Sequence, residues 1–108
     1  MSGLFRDATG QIVQIINPNF ASGKIQNVSI TGTSAPTTNG APHGCTLLML
    51  ISTTNCWFRS GTSPTAAKDA TSIYLPAGVY FYLPCNEGDK VAFIQDSASG
   101  TAQVIPAL

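Results

Sequence analysis

The sequence predicts an all-β fold: a single antiparallel β-sandwich, jelly-roll-like, of about eight strands. Three observations predict it. Short runs rich in β-branched and aromatic residues recur along the chain, separated by Gly, Pro, Asn and Ser. No window keeps an apolar helical period unbroken; residues 63–70, SPTAAKDA, come nearest and read as one helical turn inside a loop. The length, 108 residues, fits one domain with a modest core. That domain is placed at residues 10–108, behind an N-terminal arm at residues 1–9.

The arm, MSGLFRDAT, carries Leu4 and Phe5 where a free terminus is ordinarily polar and mobile. Both side chains are expected to dock on a neighbouring subunit. Strands are then expected at 10–16 (GQIVQII) and 24–31 (KIQNVSIT). Residues 32–44, GTSAPTTNGAPHG, form a long loop without charge, and 60–70 is a loop of the same kind. Long loops in compact domains either serve contacts or are mobile. Between them lie strands at 45–51 (CTLLMLI) and 54–59 (TNCWFR), and after them strands at 71–75, 78–83, 89–95 and 101–105.

The last four strands are separated by short turns with identifiable chemistry. Leu75-Pro76-Ala77-Gly78 reads as a type I turn, with Pro76 presetting φ and Gly78 in fourth place. Gly88 in Asn86-Glu87-Gly88-Asp89 is expected to supply positive φ, and Gly100 in Ser97-Ala98-Ser99-Gly100 to do the same. These reversals predict that the last four strands are antiparallel neighbours.

Side-chain alternation assigns faces. In residues 79–83, Val79, Phe81 and Leu83 are directed to the core, and Tyr80 and Tyr82 outward. Residues 47–51 are apolar on both faces: Leu47, Met49 and Ile51 on one, Leu48 and Leu50 on the other. One face belongs to the core; the second needs cover from a loop, a terminal segment or a neighbouring subunit, and Leu48 and Leu50 are taken as its interface candidates. Trp57 and Arg59 share a face opposite Cys56 and Phe58, and Tyr74 lies nearby. Tyr, Trp and Arg anchor protein interfaces, so Trp57, Arg59, Tyr74, Tyr80 and Tyr82 complete the candidate set. The same aromatic rings could stack on sugars, but the carboxylates and amides that would fix hydroxyls are not clustered with them.

Charge narrows the partners. Charged residues are 9% of the chain, against about 25% in soluble domains. Five basic and five acidic residues cancel, so no broad positive field exists to hold nucleic acid or an anionic membrane. So neutral a surface suits a subunit packed in an assembly, or simply a surface rich in Ser, Thr, Asn and Gly. The first ten residues lack a signal-peptide pattern, and 47–51 is too short to cross a bilayer; the chain is expected to fold in a cytosol.

Catalytic signals are sparse. Cys45, Cys56 and Cys85 lack zinc-knuckle spacing and read as small buried hydrophobes, although His43 beside Cys45 permits a three-Cys, one-His site on paper. His43 is the lone histidine, there is no Gly-x-Ser-x-Gly elbow or phosphate loop, and Glu87 and Asp89 flank a solvated turn. No enzyme activity, cofactor or metal is expected.

Residues 54–104 resemble a family of small all-β structural proteins of tailed bacteriophages and prophages. The resemblance rests on an aromatic strand (Trp57, Phe58), a Gly-x-Ser-Pro-Thr-Ala loop (Gly61, Ser63, Pro64, Thr65, Ala66), a Leu-Pro-Ala-Gly turn (Leu75 to Gly78) and a Gly-x-Lys-Val-Ala hairpin (Gly88, Lys90, Val91, Ala92). It covers about half the chain, and its motifs are turn and strand punctuation rather than chemistry. It implies a virion structural protein, foremost a capsid decoration (cement) protein that binds and stabilises the major capsid protein lattice, self-associates, and folds in the host cytoplasm before assembly. A tail or neck component and a carbohydrate-binding sandwich are the alternatives.

Overall fold

A strand with alternating apolar residues needs an opposing layer for its inner face, and two antiparallel four-stranded sheets provide it. The computed structural model describes the backbone of residues 3–6 and 12–15 and the whole of residues 16–108. Its strands are β1 (Gly3–Arg6), β2 (Ile12–Ile15), β3 (Gln26–Ile30), β4 (Ala35–Pro36), β5 (Leu47–Ser52), β6 (Cys56–Gly61), β7 (Ile73–Leu75), β8 (Phe81–Pro84), β9 (Lys90–Gln95) and β10 (Gly100–Pro106). One sheet has the order β3-β10-β5-β8 and the other β4-β9-β6-β7. β1 and β2 pair only with each other, as a separate two-stranded sheet. The fold is the expected all-β sandwich, with no helix among the described residues, including 63–70.

The pairing is nested. β3 pairs with β10, β4 with β9, β5 with β8 and β6 with β7, all antiparallel. The chain from β3 to β10 is thus one long two-stranded ribbon, folded over so that successive strand pairs alternate between sheets, as in a jelly roll. This overturns the expectation that the last four strands are sheet neighbours. Pro76 to Val79, Asn86 to Asp89 and residues 96–99 are corners that carry the chain from one sheet to the other. At the first corner Val79 N–H donates to the Pro76 carbonyl at 3.4 Å, so Gly78 occupies the third turn position, with φ of 75°. Positive φ at that position belongs to a type II turn, which is why glycine serves there; the expected type I turn is both shifted by one residue and changed in type.

The long loop at 32–44 is not free. It contains β4, and beyond it Thr37 N–H donates to the Val91 carbonyl (2.9 Å) and Ala41 N–H to the Asp89 carbonyl (2.7 Å), which extends the β4–β9 ladder. Gly40 permits this course, because a Cβ there would overlap the Gly88 backbone. The short β4, broken by a proline, is an edge strand without a strong sequence signal.

The core lies between the sheets. Phe58 of β6 packs edge-on against Phe81 of β8 at 5.0 Å and lies 6.2 Å from Phe93 of β9. Val28, Ile30, Leu48, Leu50, Leu75, Val91 and Val104 fill the remainder. Each large apolar side chain buried in this way contributes about 1.5–3 kcal/mol.

Candidate functional site

Residues opposite each other in a sheet share a face, so the register fixes which side chains point outward. Leu50 is opposite Phe81 and Val104, and Leu48 is opposite Leu83. All belong to the core or pack against it, and Leu48 and Leu50 are almost fully buried. These two interface candidates are therefore core residues: the opposing sheet covers them, because their sheet neighbours carry the inward-facing apolar sets. The outward face of β5 is instead Leu47, Met49 and Ile51, all half-buried. Val79 also departs from expectation. It precedes β8 and is 48% exposed rather than in the core.

On the outer face of the β3-β10-β5-β8 sheet, Tyr82, Met49 and Ile105 form one row across three strands; Ile105 is buried, at the end of β10 where Asn17 and Asn19 bond to Ala107 and Pro106. Ile51, Gln103 and Asn27 form the next. Tyr80 and Tyr82 are 51% and 49% exposed. None of these four strands contains a charged residue, and residues 70–86, which include the edge strands β7 and β8, are also uncharged. Edge strands are commonly guarded by charge. A depression of about 620 Å³ opens beside Ile51, Asn27, Thr101 and Gln103, with no titratable side chain among its described walls.

The other sheet is different. Trp57 is opposite Tyr74 and Ile94. Its ring meets Tyr74 edge-on at 5.3 Å, and its indole N–H donates to Asp96 Oδ1 at 3.1 Å. Trp57 and the tyrosines at 80 and 82 thus lie on opposite sheets and do not form one patch. The connection from β6 to β7 reaches back over this sheet: Ala66 N–H donates to Ser34 Oγ (2.9 Å) and Lys68 Nζ to the Asp96 carbonyl (2.6 Å). Ala66 and Ala92 are buried although neither belongs to the inter-sheet core. Arg59 is exposed on the same outer face. The Thr71 hydroxyl and N–H, donating to Asp69, hold that carboxyl below its usual range, and the Arg59 charge adds to the effect.

His43 pairs with Glu87, but the two side chains are 97% and 58% exposed, so water screens the contact. Among the described residues no three or more His, Cys, Asp and Glu side chains gather as metal ligands, and no buried side-chain nitrogen or oxygen lacks a partner. A depression of about 700 Å³ near Asn17, Phe20, His43 and Cys45 has no carboxylate side chain in its described walls. Leu4 and Phe5 lie on β1, opposite Gln14 and Val13; their expected docking concerns side chains outside the described residues.

Sequence reasoning missed Met49, Ile51 and Ile105 as outward residues. No local signal set the phase of β5; it is the pairing of Met49 with the outward Tyr82 that makes Met49 outward.

No family model and no curated protein matches the sequence. Among solved structures, the chain is similar to FeII HppE in complex with substrate, with a TM-score of 0.47 and 13% identity, over 96% of this chain and 60% of that one. The chain thus spans less than two thirds of that protein's length, and a likeness this low carries no argument about chemistry.

Proposed function

We propose that the chain is a non-enzymatic structural subunit of a bacteriophage virion, a capsid decoration protein that binds and stabilises the lattice of the major capsid protein. The observation that carries this reading is the uncharged outer face bearing Tyr82, Met49 and Ile51, with Tyr80 exposed just before β8. An interface core is depleted in charge and enriched in aromatic residues and methionine. The low overall charge supports the same reading, because a subunit held in a lattice does not depend on self-repulsion for dispersal. So does the resemblance over residues 54–104, whose motifs lie on β6, the β6–β7 connection, the β7–β8 corner and β9. Tyr, Met and Ile at the contact would meet an apolar patch on capsid protein or on a second copy.

The test is a count of this chain in purified virions by quantitative mass spectrometry. On the order of hundreds of copies, matching a lattice of symmetric sites, is the expected result. A few copies or about a dozen would move the protein to the tail or neck, and absence from the particle would overturn the reading.

A further inference from the structure

We propose that Cys45 and Cys85 form an intramolecular disulfide that locks edge strand β8 to the start of β5 when the folded protein is in an oxidising medium. All three cysteines are free thiols in the structure, and the Cys45 and Cys85 sulfurs are 3.8 Å apart. The backbone around them is already fixed. Cys85 N–H donates to the Thr46 carbonyl (3.0 Å), and Gly88 N–H to the Ala41 carbonyl (2.9 Å). With Ala41 N–H bonded to the Asp89 carbonyl, backbone hydrogen bonds tie residues 41 and 46 to residues 85, 88 and 89. Continuing the β5–β8 register places Thr46 opposite Cys85, so Cys45 is its diagonal neighbour just beyond the ladder; with the sulfurs already 3.8 Å apart, side-chain rotation is the movement needed to reach a bonded separation of about 2.05 Å. Cys56 does not compete: it is fully buried, and its thiol lies 3.5 Å from the Ser52 hydroxyl.

With glutathione disulfide as oxidant, the chemistry balances through two exchanges. One protein thiolate attacks glutathione disulfide, forming a mixed disulfide and releasing one glutathione thiolate. The second protein thiolate displaces the other. Two S–H bonds are lost, one protein S–S bond forms, and the two electrons and two protons pass to two molecules of reduced glutathione. Burial first, and then the neighbouring Cys45, push the Cys85 thiol up to about 12. Little Cys85 thiolate exists near neutrality, so attack through that sulfur is slow. The lock does not depend on the assembly reading. It closes a ring that includes β5 to β8 and holds the edge strand carrying Tyr82.

The experiment treats the folded wild-type chain with glutathione disulfide, then measures intact mass and maps peptides without reduction. The expected product is lighter by two hydrogen atoms, linked 45 to 85, with Cys56 free and a thermal midpoint higher by roughly 5 °C or more than the reduced form. Cys56→Ala should retain the link, and Cys85→Ala should abolish it. Persistent thiols, a stable glutathione adduct, or a link to Cys56 in the wild-type chain would overturn the proposal. So would a 45–85 link with no rise in midpoint, because that bond would lock nothing.

Discussion

On the β4-β9-β6-β7 sheet the chain covers part of its own outer surface, drawing the β6–β7 connection across to Ser34 and Asp96. On the β3-β10-β5-β8 sheet the outer rows combine Tyr82, Met49 and Ile51 with Gln103 and Asn27, and no strand carries a charge. Aromatic content alone does not separate the two surfaces, since Trp57 and Tyr74 are on the first and Tyr82 on the second. The partners do. Trp57 has an aromatic ring and a carboxylate within its own chain, whereas Tyr80 and Tyr82 expose about half their area. An aromatic residue whose polar atom is already satisfied contributes to the fold; one left half-exposed beside uncharged neighbours is available to a partner.

The comparison can be broken most strongly at the tyrosines. Replacing Tyr80 and Tyr82 together by serine should weaken association by about 2 kcal/mol or more, roughly thirtyfold in affinity. The thermal midpoint of the isolated chain should stay nearly constant, because Phe81 and Leu83 still face the core. Binding to capsids and the midpoint, measured on the same variant, check this; a parallel fall in both would make the tyrosines part of the fold.

Trp57→Phe supplies the opposite case. It removes the indole N–H that reaches Asp96 and should lower stability by about 1 kcal/mol, the ordinary worth of one hydrogen bond. Association should be unaffected. Denaturant unfolding and a binding assay on the same preparation test both halves.

The smallest effect belongs to Asp69. Its carboxyl is depressed mainly by the Thr71 hydrogen bonds, so its contribution is present above the unfolded-state value and lost as pH falls through the lower folded-state value. Asp69→Asn should therefore flatten slightly the loss of thermal stability between about pH 5 and pH 2. A midpoint scan from about pH 7 to about pH 2 checks this; near neutrality the variant should lose only this one turn contact.

The strands and corners were legible in the sequence because alternation and turn chemistry are local. Each expected strand is present, but 10–16 contains β2 of the separate sheet, and the eighth member of the sandwich is β4. Pairing was not legible. The turns after β7, β8 and β9 have the residues of hairpins, yet corners between sheets use the same chemistry: Gly78 and Gly88 take positive φ at the first two, while the third turns without the positive φ expected of Gly100. The phase of β5 was ambiguous for a different reason: five consecutive apolar residues satisfy either face, and Leu48 and Leu50 turn inward because Phe81, Leu83 and Val104 already do. The closeness of Cys45 and Cys85 follows from the nested register and has no local signal.

That nesting also sets an order of events during synthesis. β10 lies between β3 and β5, so the middle strand of one sheet leaves the ribosome after every other strand of the sandwich. Until then β3 has no neighbour on that side, and Leu50 lacks Val104 beside it. The β6–β7 pair can close first across its connecting loop, followed by β5 with β8 and β4 with β9, each pair shortening the loop that the next must close. The nascent chain thus leaves part of its apolar inner surface uncovered until β10 emerges, a period in which unpaired strands are prone to the wrong partner.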